Sequence, residues 1–96
     1  MSTLLAAAVG LASIAAAVVA SAEPPAGAAA CTGCHPASAR VTSPVPRLAG
    51  LDRAAIVRAM QDFRSGTRAA TVMDRIARGF TDEEIQAIAA WYAAQR

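Results

Sequence analysis

The sequence predicts an all-α domain of about four short helices, and three observations predict it. Apolar residues recur at helical spacing in two segments, Ile56, Met60, Phe63 and Ile85, Ile88, Ala89, Tyr92. No stretch alternates apolar and polar residues with the period of two that a half-buried strand requires. Residues that start and stop helices bracket the apolar segments: Asp52 and Gly66 around the first, Gly79 and Thr81-Asp82-Glu83-Glu84 before the second.

The chain of 96 residues allows at most one small domain. Its first part reads as a leader. From Leu4 to Ala20 there is no charged residue, and Ala20-Ser21-Ala22 is an A-x-A-type cleavage site before the polar break Glu23-Pro24-Pro25. Residues 1–22 are therefore expected to be a signal peptide cleaved after Ala22, and residues 23–96 the domain. No Lys or Arg precedes the apolar run, which reduces the usual basic region to the terminal amine. The alternative is an uncleaved membrane anchor, since the run is about as long as the shortest spanning helices, roughly 17 residues. Either way the domain is expected outside the cytoplasm, in the periplasm, with no membrane span once the leader is removed.

In the domain, Ala28-Ala29-Ala30 opens a short helix that runs into Cys31-Thr32-Gly33-Cys34-His35. Pro36 restricts His35 toward extended geometry and stops that helix. Residues 36–50 form a loop punctuated by Pro44, Pro46 and Gly50. Asp52 caps the next helix, which ends near Ser65 with Gly66 as its stop. Arg53, Arg58, Gln61, Asp62 and Arg64 are placed to face water. A third helix is expected over Thr71 to Arg78, with Gly79 as the left-handed residue that closes it and Phe80 as the apolar residue after it. Thr81 to Glu84 form a capping box for the last helix, Asp82 to about Gln95, so the acidic run is read as helix initiation rather than as a docking patch.

The five residues from Cys31 to His35 carry the chemistry. Two cysteines three apart, followed at once by histidine, form the attachment signature of a c-type haem. Each thiol would join one vinyl-bearing corner of the macrocycle, and the imidazole would be the proximal iron ligand. Three other roles are weaker. A thioredoxin-like dithiol needs a βαβ context, a closed zinc site needs four ligands, and a disulfide over so short a loop would staple almost nothing. The chain holds two Cys and one His.

With one histidine, a second protein ligand to the iron falls to methionine, which raises the haem potential. Met1 leaves with the leader, so the choice lies between Met60 and Met73. Met60 sits inside an apolar stripe and reads as a core side chain. Met73 follows a Gly-containing turn and precedes the last helix, so it is preferred as the distal ligand. A ligating histidine usually donates its other ring N–H to a carbonyl or carboxylate. Pro46 is the preferred neighbour of the imidazole, although Pro44 and Pro46 could equally be loop stiffeners.

All nine basic residues are Arg, and the formal net charge is only +2. Scattered charge of this size gives no argument for nucleic acid. A domain this small is marginal without a staple, and a covalently held haem would serve as one. The protein is expected to carry electrons and to perform no substrate chemistry of its own.

With Cys31-x-x-Cys34-His35, Pro46-x-Leu48-x-Gly50, Met73 and an aromatic-bearing last helix, residues 31–96 resemble the class I cytochrome c family. The resemblance implies a small all-α fold wrapped around one covalent haem c, with Met73 at the axial methionine position. It also implies that Trp91 or Tyr92 packs across Ala28 to Gly33. Residues 60–68 and 70–85 look like those of the cytochrome subunits of flavocytochrome c sulfide dehydrogenases. That likeness implies a flavoprotein (FAD) partner that oxidises sulfide in the periplasm and passes electrons to this chain. Two alternatives stand beside it: a free-standing carrier serving another periplasmic oxidase or reductase, and a ligand-binding haem sensor domain with an open iron site. Pro36 stands where a glycine is common in the family, and one attachment motif excludes a two-haem form.

Overall fold

A computed structural model describes Gly10 and residues 23–96. The expected signal peptide, residues 1–22, lies outside the described residues except for Gly10. Among the described residues there are four α-helices and no strand: α1 (Ala28–Cys31), α2 (Arg53–Ser65), α3 (Met73–Arg78) and α4 (Asp82–Ala94). None of them is long and apolar enough to cross a membrane.

The two long helices begin and end on local chemistry. Asp52, in extended conformation, accepts a hydrogen bond from the Ala55 amide at 3.0 Å and caps α2. Gly66 closes it at φ 81°, the left-handed region that glycine enters without penalty. At α4 the Thr81 hydroxyl accepts from the Glu84 amide at 3.2 Å, and the Glu84 carboxylate accepts from the Thr81 amide at 2.9 Å. The acidic run thus spends Glu84 on the capping box, while Asp82 pairs with Arg64 of α2.

α2 packs against both α3 and α4. The core cluster joins Ile56 and Val57 of α2 to Ile85, Ile88, Ala89 and Tyr92 of α4, with Ala28 of α1 fully buried among them. Met60, Phe80, Leu48 and Trp91 pack around its edge. Tyr92, rather than Trp91, makes the crossing bond between the ends of the chain: its hydroxyl donates to the Ala28 carbonyl. The Trp91 ring stands edge-on to the Tyr92 ring, with centroids 4.9 Å apart.

Three expectations need correction. α3 starts at Met73 rather than Thr71, because two successive β-branched residues, Thr71 and Val72, precede it and Val72 keeps a non-helical φ of −134°. Gly79 is right-handed, at φ −79°, not left-handed. The amides of Gly79 and Phe80 bond back to the carbonyls of Ile76 and Ala77, so the helix tightens into a last turn and its end needs no reversal. Arg64, expected to face water, is instead half-buried and reaches the start of α4.

Candidate functional site

The site is built on a helix too short to stand alone. α1 has four residues and no side-chain cap. Its start is Gly27, at φ 85°, where a Cβ would lie 2.5 Å from Cε1 of Phe80. Only glycine allows the chain both that conformation and that approach. The Ala28 amide donates to the Pro25 carbonyl at 3.0 Å, and the Thr32 hydroxyl donates to Ala29 at 2.7 Å.

Beyond α1 the backbone continues in turns. The amides of Cys34 and His35 both bond to the Cys31 carbonyl, at 3.2 and 2.9 Å. Cys31, Cys34 and His35 therefore share one compact turn. The thiols differ in surroundings: Cys31 is half-buried and Cys34 exposed, and both are free. The Cys31 S–H donates to the Gly27 carbonyl at 3.7 Å. Burial pushes the Cys31 thiol above its ordinary value, with a smaller opposing effect from the Tyr92 hydroxyl. Tyr92 is itself pushed up to about 12, first by burial and then by Cys31. A redox dithiol needs a thiol whose pKa is depressed, so these surroundings count against that role for Cys31.

The loop after Pro36 folds back onto the turn. Arg47 Nε donates to the Ala37 carbonyl at 3.0 Å, and the Gly50 amide donates to the Tyr92 carbonyl at 3.0 Å. Between these two ties, the Pro46 carbonyl lies 2.5 Å from Nδ1 of His35. A carbonyl only accepts, so this bond requires the proton on Nδ1 and leaves the Nε2 lone pair available to a metal. Beside the imidazole is a recess of about 150 Å³ bounded by Pro36, Leu48, Trp91 and Tyr92.

The two methionines separate by environment. Met60 packs against the core cluster, whereas Met73 is the half-buried first residue of α3 and lies outside that cluster. No bond joins Met73 to the Cys31–His35 turn, so the structure unites Cys31, Cys34, His35 and Pro46 while Met73 stands on a separate element. Sequence reasoning missed Gly27 and Arg64, whereas Tyr92 beside Cys31 is one of the two aromatic neighbours that the family resemblance implied. Gly27 had a signal, a glycine directly before an alanine run, but Arg64 depends on contacts with a distant segment.

Among the described residues, no three His, Cys, Asp or Glu side chains are placed to hold a metal ion. An imidazole with Nε2 free, one turn from two free thiols, fits a macrocycle that the thiols anchor and whose metal the imidazole would hold. Apolar surface is also left open: Val41, Leu51, Val72 and Ile76 are each more than 40% exposed. Val72 and Ile76 flank Met73 along α3.

No family model matches the chain. Three curated proteins are similar to it. The cytochrome subunit of sulfide dehydrogenase of Chlorobaculum tepidum is 40% identical over 62 residues, covering 65% of this chain and 56% of that protein. The thiosulfate dehydrogenase electron acceptor of Stutzerimonas stutzeri is 43% identical over 65 residues, covering 66% of this chain and 30% of the relative. Cytochrome c-552 of Acidithiobacillus ferridurans is 34% identical over 65 residues, covering 68% and 28%. The matched region spans about half of the first relative and under a third of the other two.

Proposed function

The chain is related to the class I cytochromes c, and from that premise we propose that it is a periplasmic single-electron carrier holding one covalent haem c. The observation that carries the proposal is the His35 imidazole, fixed by the Pro46 carbonyl within one turn of two free thiols. Cys31 and Cys34 hold the group as thioethers. His35 ligates iron through Nε2, and Pro46 sets the tautomer and ring orientation. Met73 is the distal ligand, a choice supported by the commitment of Met60 to the core. When bound, the haem would supply one-electron chemistry, and His35 and Met73 would hold its iron and tune its potential. The chain contributes attachment and ligation.

The electrons come from a sulfide-oxidising flavoprotein subunit. The likeness to the sulfide dehydrogenase cytochrome supports this. The likeness to a thiosulfate dehydrogenase electron acceptor supports a second reading, a carrier that serves another periplasmic redox protein.

The test is the protein purified from a host that matures c-type cytochromes. The denatured chain should keep its chromophore through acid–acetone extraction and gain the mass of one haem. An extractable chromophore, or none, would refute covalent haem c. Met73→Ala should abolish the near-infrared sulfur-to-ferric-iron band and Met60→Ala should retain it; the reverse would move the ligand to Met60. Carbon monoxide binding by the unmutated ferrous protein would point to a ligand sensor. Co-purification with a flavoprotein separates the permanent subunit from the free carrier.

A further inference from the structure

Arg64 lies in the last turn of α2 and reaches the junction between α3 and α4. Its Nη1 pairs with the Asp82 carboxylate, and its Nη2 donates to the Phe80 carbonyl at 2.6 Å. An exposed ion pair alone would contribute little, and Asp82 is 73% exposed. The second bond changes the case, because it goes to a main-chain oxygen from a side chain that is only 30% exposed. The planar guanidinium grips two points two residues apart, which lysine, with one compact charge, does not reproduce.

The gripped segment leads back to Met73. Phe80 bonds through its amide to Ala77, which is fully buried, and Met73 lies one turn before Ala77 on the same face of α3. α3 is six residues long, and its first turn has no side-chain cap. A helix this short does not hold its own orientation. The Phe80 ring completes the tie on the other side, lying so close over Gly27 that a Cβ there would clash.

We propose that Arg64 is a positioning residue for Met73: by holding Phe80 and Asp82 it keeps α3 seated and the thioether at the iron. The inference rests on the reading of Met73 as distal ligand. An external ligand competes with Met73 only in molecules where α3 has lifted, so its apparent affinity reports that lifted fraction. The grip on α3 acts on this fraction even where the helices stay folded.

The experiment titrates the ferric protein with imidazole and follows the near-infrared band, for the unmutated chain and for Arg64→Ala, Arg64→Lys and Ile88→Val. Ile88→Val is a core truncation that loosens the packing around Phe80 but removes neither Arg64 bond. Arg64→Ala should bind imidazole about tenfold more tightly, in line with losing the one half-buried charge-assisted bond to the Phe80 carbonyl, the exposed pair with Asp82 adding little. Arg64→Lys should fall between it and the unmutated protein, and Ile88→Val should stay within about twofold. Equal affinities for Arg64→Ala and the unmutated protein overturn the proposal, as does an equal gain in Ile88→Val. Absence of the band from the unmutated protein would instead remove Met73 as ligand, and the role of Arg64 with it.

Discussion

Replacing Gly27 by alanine tests whether the start of α1 is set by backbone conformation alone or also by contact with Phe80. Gly27 and Gly66 have nearly the same conformation, at φ 85° and 81°. Alanine in the left-handed region costs about 1–2 kcal/mol at either place. The surroundings differ. A Cβ on Gly66 meets nothing within 4 Å, whereas one on Gly27 lies 2.5 Å from Cε1 and 3.1 Å from Cζ of Phe80. The ring cannot simply retreat, because it packs on the core cluster and its own carbonyl is held by Arg64. Overpacking of this kind adds about 1–3 kcal/mol. Gly27→Ala should therefore cost roughly 2–5 kcal/mol in total and Gly66→Ala about 1–2. For a domain of this size each kcal/mol lowers Tm by about 4–8 °C. Thermal unfolding of the two purified variants, followed by far-ultraviolet circular dichroism, makes the comparison. Any gain from stiffening the unfolded chain is the same for both and cancels. Gly27→Ala melting at or above Gly66→Ala would refute the contact.

Tyr92→Phe removes the hydroxyl that donates to the fully buried Ala28 carbonyl and should cost about 1–3 kcal/mol at neutral pH, measured by denaturant unfolding. Because Tyr92 titrates near 12 when folded and near 10 when unfolded, its contribution is complete below pH 10 and lost as pH rises through 12; the gap between the two proteins should narrow across that window and nowhere below it. A Cys31→Ala/Cys34→Ala chain should lack a cooperative thermal transition, since the core cluster holds only seven buried residues; a sharp native-like melt would count against the staple. Pro46→Ala keeps the carbonyl that meets His35 and should leave the visible spectrum unchanged, losing only about 0.4–1 kcal/mol through a more flexible unfolded chain.

What was legible in the sequence is what is decided locally. The bounds of α2 follow from Asp52 and Gly66, the start of α4 from Thr81 and Glu84, and the buried face of α4 from the spacing of Ile85, Ile88, Ala89 and Tyr92. The Cys31–His35 motif was also readable because it is contiguous, whereas the loop left Pro46 as either a neighbour of the imidazole or a stiffener until its carbonyl was placed 2.5 Å from Nδ1 of His35. The right-handed end of α3 was not readable. Glycine permits either hand, and the choice depended on whether the last carbonyls found partners within the turn. Arg64 was hidden for a different reason: a solvated arginine and a clamping one look alike until the start of α4 is placed beside it.

The proposed haem-binding residues fall on the elements least able to hold themselves. α1 has four residues and α3 six, well below the length at which a helix is stable alone, while α2 and α4 have thirteen each. Each short element is fastened to the long ones by a few side-chain bonds: Tyr92 and Ala28 for α1, Arg64 with Phe80 and Asp82 for α3. Tyr92 packs against the Cys31 end, and Arg64 acts on the segment that leads to Met73. This division makes α2 and α4 the frame and α1 and α3 the adjustable jaws. Loss of a fastener should free a jaw at a smaller cost than unfolding the frame, since local opening needs less free energy than the global transition. Substitutions at the fasteners should accordingly appear first in ligation at the iron and only later in helix content, the opposite order from substitutions in the Ile56, Val57 and Ile85 core.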